Sequence, residues 1–352
     1  MRGINLSPRT VIPDLLRKRK ALRLSYVKDQ KSLTQRSPRL PFRGHLTHCR
    51  KGDAGTESGM TCITSPIRLV ASAFYRIGYK LHHKIVLRPQ PPLRTLVVIV
   101  GSYLAGGAGK TPFTLWLAKR YLEQDKKVAI LCHNAAWDEH IMLQRELQDF
   151  PNATVIATKN RFATAKEIQD KFDFILCDDG FEDTRFTGAR YICLDWQTPP
   201  TSWKTLWPAG PFRSLKQDHD ESTIIHLDCA DSKNSHSAIS PDVSFSIESI
   251  TNYAPGTPIA ATAICGLGNP KRFIEDVRAF GINVEKAIVR RDHDKRFLHA
   301  VQAELSTGNH VVISQKDACR LPQSLLAHPK LHTAIQKTTV SDNALKAIEQ
   351  FI

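Results

Sequence analysis

A glycine-rich segment that ends in Lys-Thr carries the strongest chemical signal in this sequence. The apolar run Leu96–Val100 is typical of a buried strand, and the segment Gly101–Gly109 connects it to Lys110 and Thr111. Glycines let backbone N–H groups turn inward around phosphate oxygens, and a helix that begins near Pro112 would add its partial positive charge. This order predicts a phosphate-binding loop, in which the lysine reaches the β- and γ-phosphates of a nucleotide and the threonine hydroxyl ligates Mg²⁺. The residues predicted to form the nucleotide site are Gly106, Gly107, Ala108, Gly109, Lys110 and Thr111.

Two adjacent acids support this interpretation. Asp178 and Asp179 directly follow the strand-like segment 173–177. A carboxylate at the end of such a strand holds Mg²⁺ in nucleotide-binding folds of this type, so we expect this acid pair to supply a metal ligand. Two alternatives stay open. One is that the acids only cap the next element. The other is that the loop is an ordinary strand-to-helix turn, because Leu104 stands where the strict pattern G-x-x-x-x-G-K-[ST] has glycine.

The net charge of +15 is distributed unevenly along the 352 residues. Residues 1–59 contain 14 Lys and Arg but only four acids, so the rest of the chain is only mildly basic. Overall charge is therefore a poor argument for nucleic-acid binding, and no helix-turn-helix or aromatic-interleaved basic pattern accompanies it. We expect no nucleic-acid partner.

The eight cysteines show no spacing that indicates a metal site or a disulfide framework. No two of them form a C-x-x-C pair, and no histidine lies at zinc-finger spacing. Four of them lie in or beside apolar runs: Cys132, Cys177, Cys193 and Cys265. This pattern favours small buried thiols in a reducing compartment.

The basic segment 1–59 has three interpretations that the sequence leaves open. Its Arg-rich, acid-poor composition suits an organellar transit peptide. It also suits a disordered arm that touches acidic lipid or nucleic acid. The third interpretation is translated upstream sequence, with Met60 as the true start. The segment is therefore left out of the fold prediction.

The segment 66–87 is predicted to form a basic amphipathic helix. Its apolar residues recur near helical spacing, and basic residues fall largely between them. Such a helix suits a membrane interface, and packing on the protein's own core is the alternative. No apolar run approaches the ~18 residues that a spanning helix needs.

Strand and helix patterns alternate through the rest of the chain. Predicted strands follow at 127–131, 173–177, 191–196, 223–227, 259–265, 285–290 and 310–314, and predicted helices end near residues 280 and 352. Alternation of this kind predicts an α/β fold whose sheet is mostly parallel and has helices on both faces.

Six short segments resemble the motifs of one known family in their order along the chain. They are GSYLAGGAGKTP, CDDGFED, WPAGPFRS, CGLGNPKRF, RRDHDKRF and SQKDACRL. In this order they resemble the tetraacyldisaccharide 4'-kinases of lipid A biosynthesis, from about Ile67 to Leu321. That family transfers the γ-phosphoryl group of ATP to the 4'-hydroxyl of a membrane-embedded tetraacyl disaccharide 1-phosphate. Its phosphate loop also lacks the first glycine of the strict pattern, so Leu104 fits the family.

The resemblance implies roles for further residues. Asp138 and a distant histidine, His293, would activate the sugar hydroxyl, because phosphoryl transfer needs a group that orients or deprotonates its nucleophile. Arg213 would bind the lipid substrate, since a planar guanidinium suits phosphate. The implied metal ligands are Thr111, Asp178, Asp179 and Glu139.

The side of the site that binds the acceptor departs from the family pattern. The family's S-R-G-Y-G segment and a long following stretch are replaced by the short segment Cys132–Ala136. Trp137 and His140 flank the Asp-Glu pair where the family has Gly and Pro, and Ser214 stands at a substrate-contacting Glu. A kinase of the 4'-hydroxyl is the leading prediction. A P-loop kinase of another glycolipid and a catalytically weakened nucleotide-binding membrane protein are the alternatives.

The predicted organisation has four parts. We expect a basic, disordered leader over 1–59, an amphipathic membrane-associated helix over 60–90, a P-loop kinase core over 91–229, and a smaller C-terminal α/β part over 243–352 that completes the active site. The expected cofactors are ATP and Mg²⁺, and the expected partners are a lipid-linked disaccharide and a membrane surface. The family works at the cytoplasmic face of the bacterial inner membrane, whereas a transit peptide would direct the chain to an organelle such as the mitochondrion.

Overall fold

Eleven strands of the described chain lie side by side in one sheet. The computed structural model describes residues 66–231, 240–292 and 294–352, so the leader 1–59 and His293 lie outside the described residues. The strands are β1 (Leu96–Gly101), β2 (Val128–His133), β3 (Ala153–Thr158), β4 (Phe174–Asp178), β5 (Arg190–Asp195), β6 (Ile224–Asp231), β7 (Val243–Ile250), β8 (Ala260–Cys265), β9 (Asn283–Val289), β10 (His310–Ser314) and β11 (Leu331–Val340). Their order across the sheet is β3-β2-β4-β1-β5-β6-β7-β11-β10-β8-β9.

The sheet reverses direction once. Strands β1 to β7 are parallel to their neighbours, and so are β8 to β11 among themselves, but β7 pairs with β11 in antiparallel register. The predicted mostly parallel sheet is confirmed. The sequence analysis did not predict β3, β7 or β11, because these strands lack a continuous apolar run. VSFSIESI of β7 instead begins with alternating apolar and polar residues, which is the pattern of a half-buried strand.

Helices cover both faces of the sheet, as predicted. They are α1 (Pro66–Ile85), α2 (Lys110–Leu122), α3 (Trp137–Glu146), α4 (Arg161–Ile168), α5 (Pro270–Phe280), α6 (Phe297–Ser306), α7 (Gln315–Ala318), α8 (Gln323–Leu326) and α9 (Asp342–Phe351). Successive side chains of a strand point to opposite faces. Val98 and Val100 of β1 therefore pack with α2, whereas Val97 and Ile99 pack with α4 on the other side.

Helix α1 lies against the loop that contains the Pro-Ala-Gly-Pro motif. The Ser72 hydroxyl donates to the Leu206 carbonyl over 2.9 Å and accepts from the Ala209 N–H over 3.0 Å. The Tyr75 hydroxyl donates to the Arg213 carbonyl over 2.8 Å. One side of the helix is thus held by polar contacts, while its opposite side exposes a row of apolar residues: Ile67, Val70, Phe74, Ile77, Leu81 and Ile85.

A partly buried histidine makes the stability of the fold sensitive to pH. His219 stacks on Phe181 with ring centroids 4.3 Å apart, and its Nε2 lies 2.9 Å from the Ser214 hydroxyl. Burial lowers the pKa of His219 from 6.5 to about 4. Between pH 4 and pH 6.5, His219 is therefore protonated in the unfolded chain but neutral in the folded chain. Its protonation in the unfolded chain lowers the free energy of unfolding, so stability is highest above pH 6.5 and falls as the pH drops towards 4.

We expect His219→Gln to remove this pH dependence. The wild type should lose about 2 kcal/mol more of its free energy of unfolding between pH 7 and pH 5 than the variant does. Urea unfolding of both proteins at the two pH values measures the difference. An equal loss in both proteins would show that His219 is already able to take up a proton in the folded state.

Candidate active site

The predicted phosphate loop lies between β1 and α2. Helix α2 begins at Lys110, two residues before the predicted start, so the lysine and Thr111 lie in its first turn. Gly106, Gly107 and Gly109 have φ angles of 108°, 71° and 77°, which side chains other than glycine adopt only at a cost. The segment therefore has the helix N-terminus and the glycine backbone that a phosphate needs.

The turn after β8 packs directly on this loop. A Cβ atom at Gly268 would come within 2.7 Å of the Gly107 nitrogen, and one at Gly107 within 3.1 Å of the Asn269 nitrogen. On the other side, the Phe245 ring of β7 occupies the space that a side chain at Gly109 would need. The C-terminal strands thus help to fix the shape of the phosphate loop.

The first acid of the predicted pair binds both threonine hydroxyls of helix α2. The Thr111 hydroxyl donates to Asp178 Oδ2 over 2.8 Å, and the Thr114 hydroxyl donates to Oδ1 over 3.2 Å. Burial, followed by the charge of Glu139, raises the pKa of Asp178 to about 7. Because burial destabilises the ionised form of Asp178, a cation bound beside it would stabilise that form. Oxygen donors of this kind suit Mg²⁺, so the residues present fit the predicted metal.

The second acid faces the cationic side chains of the site. Both Arg213 Nη atoms donate to the Asp179 carboxylate over 3.1 Å, and Lys110 Nζ lies 3.6 Å from Oδ1. Burial alone would raise the pKa of Asp179, but Lys110 and Arg213 outweigh it and lower the pKa. Asp179 is therefore an ionised carboxylate that holds the lysine and the arginine at the end of the phosphate loop.

Two cavities meet at this point. One, of about 590 Å³, is lined by the phosphate loop, Trp116, Phe273 and residues of β7, β10 and β11. The other, of about 800 Å³, is lined by the C-terminal end of α1, the segment after β2 and Arg161. The residues that line both cavities are Glu139, Asp179, Arg213 and Asp292. A phosphoryl group held by the loop would lie beside this shared wall.

The structure places the two acids of the Asp-Glu pair differently. Helix α3 begins at Trp137, so both acids lie in its first turn. Glu139 faces the shared wall, where its Oε1 accepts from Lys316 Nζ over 3.0 Å. Asp138 is fully buried, accepts from Arg320 Nε over 3.0 Å and from its Nη2 over 2.5 Å, and lines neither cavity of the described residues.

Two cations from the C-terminal part were not assigned roles by the sequence analysis. Lys316 Nζ lies 3.2 Å from Asp292 Oδ2 and 3.9 Å from Asp138 Oδ2. Burial would lower the pKa of Lys316, but Glu139 and the two aspartates raise it, so the side chain stays charged. Arg320 also pairs with Asp292. Both cations lie in the segment SQKDACRL, and that family-like segment was the one signal that could have identified them.

Three further residues of the sequence analysis have different positions. Arg213 lies on the shared wall. Ser214, at the position of the expected Glu, is fully buried and bonded to His219, and it lines neither of the cavities found among the described residues. His293 lies outside the described residues, but its neighbour Asp292 lies on the shared wall.

Comparison with known proteins gives one consistent family. The family model for LpxK, tetraacyldisaccharide-1-P 4'-kinase, matches residues 61–134 and 132–351. The two matched stretches meet at the segment that the sequence analysis finds shortened relative to the family.

Curated relatives and one solved structure agree with that match. The tetraacyldisaccharide 4'-kinase of Francisella tularensis is 26% identical over 293 residues, which cover 73% of this chain and 89% of the relative. The enzyme of the same name from Chlamydia caviae is 24% identical over 267 residues, covering 64% and 72%. The crystal structure of Aquifex aeolicus LpxK in complex with ATP matches with a TM-score of 0.55 at 18% identity, over 81% of this chain and 97% of that one. The structural match supports the same fold.

Proposed function

Because the chain belongs to the tetraacyldisaccharide-1-phosphate 4'-kinase family, we propose that it transfers the γ-phosphoryl group of ATP to the 4'-hydroxyl of tetraacyldisaccharide 1-phosphate in lipid A biosynthesis. The observation that carries this proposal is the meeting of two cavities at the end of the phosphate loop. A kinase needs a donor site and an acceptor site that share one wall, since phosphoryl transfer depends mainly on positioning and charge stabilisation.

The cavity that contains the phosphate loop is the nucleotide site. Lys110 would bind the β- and γ-phosphates, and backbone N–H groups of the glycine loop would bind the other oxygens. Thr111, Asp178, Asp179 and Glu139 would hold Mg²⁺, which neutralises charge on the phosphate oxygens when it is bound. The ring of Trp116 and other apolar side chains of this cavity offer a surface for the adenine base.

The cavity beside α1 is the acceptor site. His82, in the last turn of that helix, and Val86, just after it, line this cavity, so a lipid bound there would have its acyl chains near the exposed apolar face of α1. Arg213 and Arg161 supply positive charge for the phosphate on the sugar. Asp138, together with His293, is proposed to activate the hydroxyl, and Glu139 is proposed to help with the metal.

Helix α1 is proposed to rest on the membrane that contains the substrate. Phe74 and Ile77 are 71% and 63% exposed, and the exposed basic residues Arg68, Lys80 and Lys84 flank this apolar face. Such a face suits the boundary between headgroups and acyl chains. Among the described residues, no helix combines the length and the apolarity that crossing a bilayer requires. We propose peripheral attachment at the cytoplasmic face of the inner membrane.

The assay that tests the function is ATP-dependent phosphorylation of tetraacyldisaccharide 1-phosphate in detergent micelles. We expect a product with one added phosphate at the 4' position, and no product without Mg²⁺. A disaccharide whose 4'-hydroxyl is blocked is the matched control and should remain unmodified. ATP binding without turnover of the open substrate would contradict the proposal and favour another glycolipid acceptor or a non-catalytic nucleotide-binding role.

We expect Phe74→Glu to weaken binding to vesicles of anionic phospholipid by about 10–100-fold, since burying a phenylalanine side chain contributes roughly 1.5–3 kcal/mol. Flotation of the full chain with vesicles measures the bound fraction. Val289→Glu is the control, because Val289 is 51% exposed but belongs to β9 rather than to α1. Equal losses in both variants would show that general surface charge, and not the α1 face, decides the binding.

A further inference from the structure

A second polar cluster lies behind the phosphate loop, on strands β5 and β6. Cys193 and His226 are directly opposite each other in the register of these parallel strands, and Asp195 follows Cys193 by two residues on the same face. Cys193 Sγ lies 3.1 Å from Asp195 Oδ1, and His226 Nδ1 lies 2.6 Å from Asp195 Oδ2. None of the three lines either of the cavities described above.

These three side chains present a donor set that zinc prefers. One ligand atom from each residue lies within 4.8 Å of the other two. In a tetrahedral zinc site with bonds of about 2.0–2.3 Å, neighbouring ligand atoms are roughly 3–4 Å apart. Thiolate sulfur, imidazole nitrogen and carboxylate oxygen are all common zinc ligands. Only small side-chain movements would therefore bring the three groups around one ion.

The other nitrogen of His226 provides an independent indication. Its Nε2 lies 3.1 Å from Glu221 Oε2, and Glu221 Oε1 accepts from the Tyr103 hydroxyl over 3.3 Å. Histidines that bind metal almost always donate their second N–H to a carboxylate, which fixes the tautomer and turns the free nitrogen towards the ion. Here that arrangement leaves Nδ1 facing Cys193 and Asp195.

We propose that Cys193, Asp195 and His226 form a zinc-binding site, with a fourth position for water. When His226 is doubly protonated, its Nε2–H faces Glu221 and its Nδ1–H faces Asp195, as does the thiol proton of Cys193. Zinc would replace the thiol proton and the Nδ1 proton. Binding one Zn²⁺ to the protonated cluster therefore releases two protons. Cys193 is fully buried on a strand, whereas Asp195 and His226 are partly exposed and give the ion and its water a path.

The site connects to the phosphate loop through Tyr103. This residue lies within the loop, its ring stacks nearly parallel to His226 with centroids 6.4 Å apart, and its hydroxyl donates to Glu221. An ion at the cluster would hold the imidazole, and through Glu221 the tyrosine, in one position. We therefore expect the metal to stabilise the fold around the loop and to take no part in phosphoryl transfer.

Cobalt titration of the chelator-treated full chain tests the site. Co²⁺ bound by a cysteine sulfur gives a thiolate-to-cobalt charge-transfer absorption, which the oxygen ligands of the magnesium site cannot produce. We expect one equivalent of Co²⁺ to give this band, an equivalent of Zn²⁺ to abolish it, and Zn²⁺ to raise the thermal unfolding temperature. Glu221→Gln should keep the band but weaken the affinity by about 10–100-fold.

Matched variants assign the band to the cluster. Cys193→Ser and His226→Gln should each lose the one-equivalent band, and the second variant decides the question if the first does not fold. Cys229→Ser is the control, because Cys229 lies on the same strand as His226 and its thiol donates to the Leu227 carbonyl over 3.5 Å. No charge-transfer band in the wild type, or a band unchanged by His226→Gln, would overturn the proposal.

Discussion

Replacing Lys110 by alanine is expected to lower kcat/KM for ATP by about 10³-fold. Lys110 is the cation at the start of α2, and its Nζ faces the end of the loop beside Asp179. A preorganised donor that stabilises charge in the transition state typically contributes 10²–10³-fold. Asp179 keeps its two bonds to Arg213 in the variant, so the fold around the loop should persist. Initial rates of product formation in micelles, measured over a range of ATP concentrations, give the value.

Lys119→Ala is the matched control for this experiment. Lys119 belongs to the same helix and lines the same cavity, but it is more exposed and pairs with Glu146 over 3.1 Å. Its loss should change kcat/KM by less than about 3-fold, since surface ion pairs contribute little. Wild-type rates in Lys110→Ala would show that this loop does not bind the transferred phosphate.

Replacing Asp138 by asparagine is expected to lower kcat by about 10²–10⁴-fold with little change in the KM for ATP. A positioned general base contributes an effect of this size, and asparagine keeps the shape of the side chain while removing its basicity. The structure offers a second explanation for such a loss of activity: Asp138 is the buried ion-pair partner of Arg320. Removing Asp138 takes one of three carboxylates away from Arg320, which keeps Asp292 and Asp317, and so disturbs the charge balance of the site.

A double variant separates the two explanations. Asp138→Asn combined with Arg320→Gln removes both members of this ion pair, while Asp292 keeps Lys316 and Asp317 keeps its bonds from the Ser314 hydroxyl and the Gly266 N–H. If Asp138 activates the hydroxyl, the double variant should be as slow as Asp138→Asn alone. Recovery to the rate of Arg320→Gln would show that Asp138 serves only as a counter-ion. A larger loss in Glu139→Gln than in Asp138→Asn would assign the base to Glu139, which faces both cavities.

The features that the sequence predicted well are local ones. A strand, a glycine loop, Lys-Thr and a helix are consecutive in the chain, so their chemistry and their order already specify a phosphate-binding loop. The acid pair at the end of β4 follows from the same logic, because the carboxyl ends of parallel strands meet at one edge of the sheet. Family motifs added the role of Arg213, which the structure places on the wall between the two cavities.

Contacts between distant segments were decided only by the tertiary structure. Asp138 and Arg320 are 182 residues apart, and their ion pair forms because the antiparallel pairing of β7 with β11 brings the C-terminal strands back to the phosphate loop. Nothing in the local sequence around either residue signals such a pair. The same reason explains why the spacing of the cysteines did not indicate a metal site at Cys193. One of its partners, Asp195, lies on the same strand, but the other, His226, is brought opposite it only by the register of β5 and β6. The sequence alone thus predicted the nucleotide chemistry, whereas the packing of the C-terminal strands against the phosphate loop decided which charges line the wall between the two cavities.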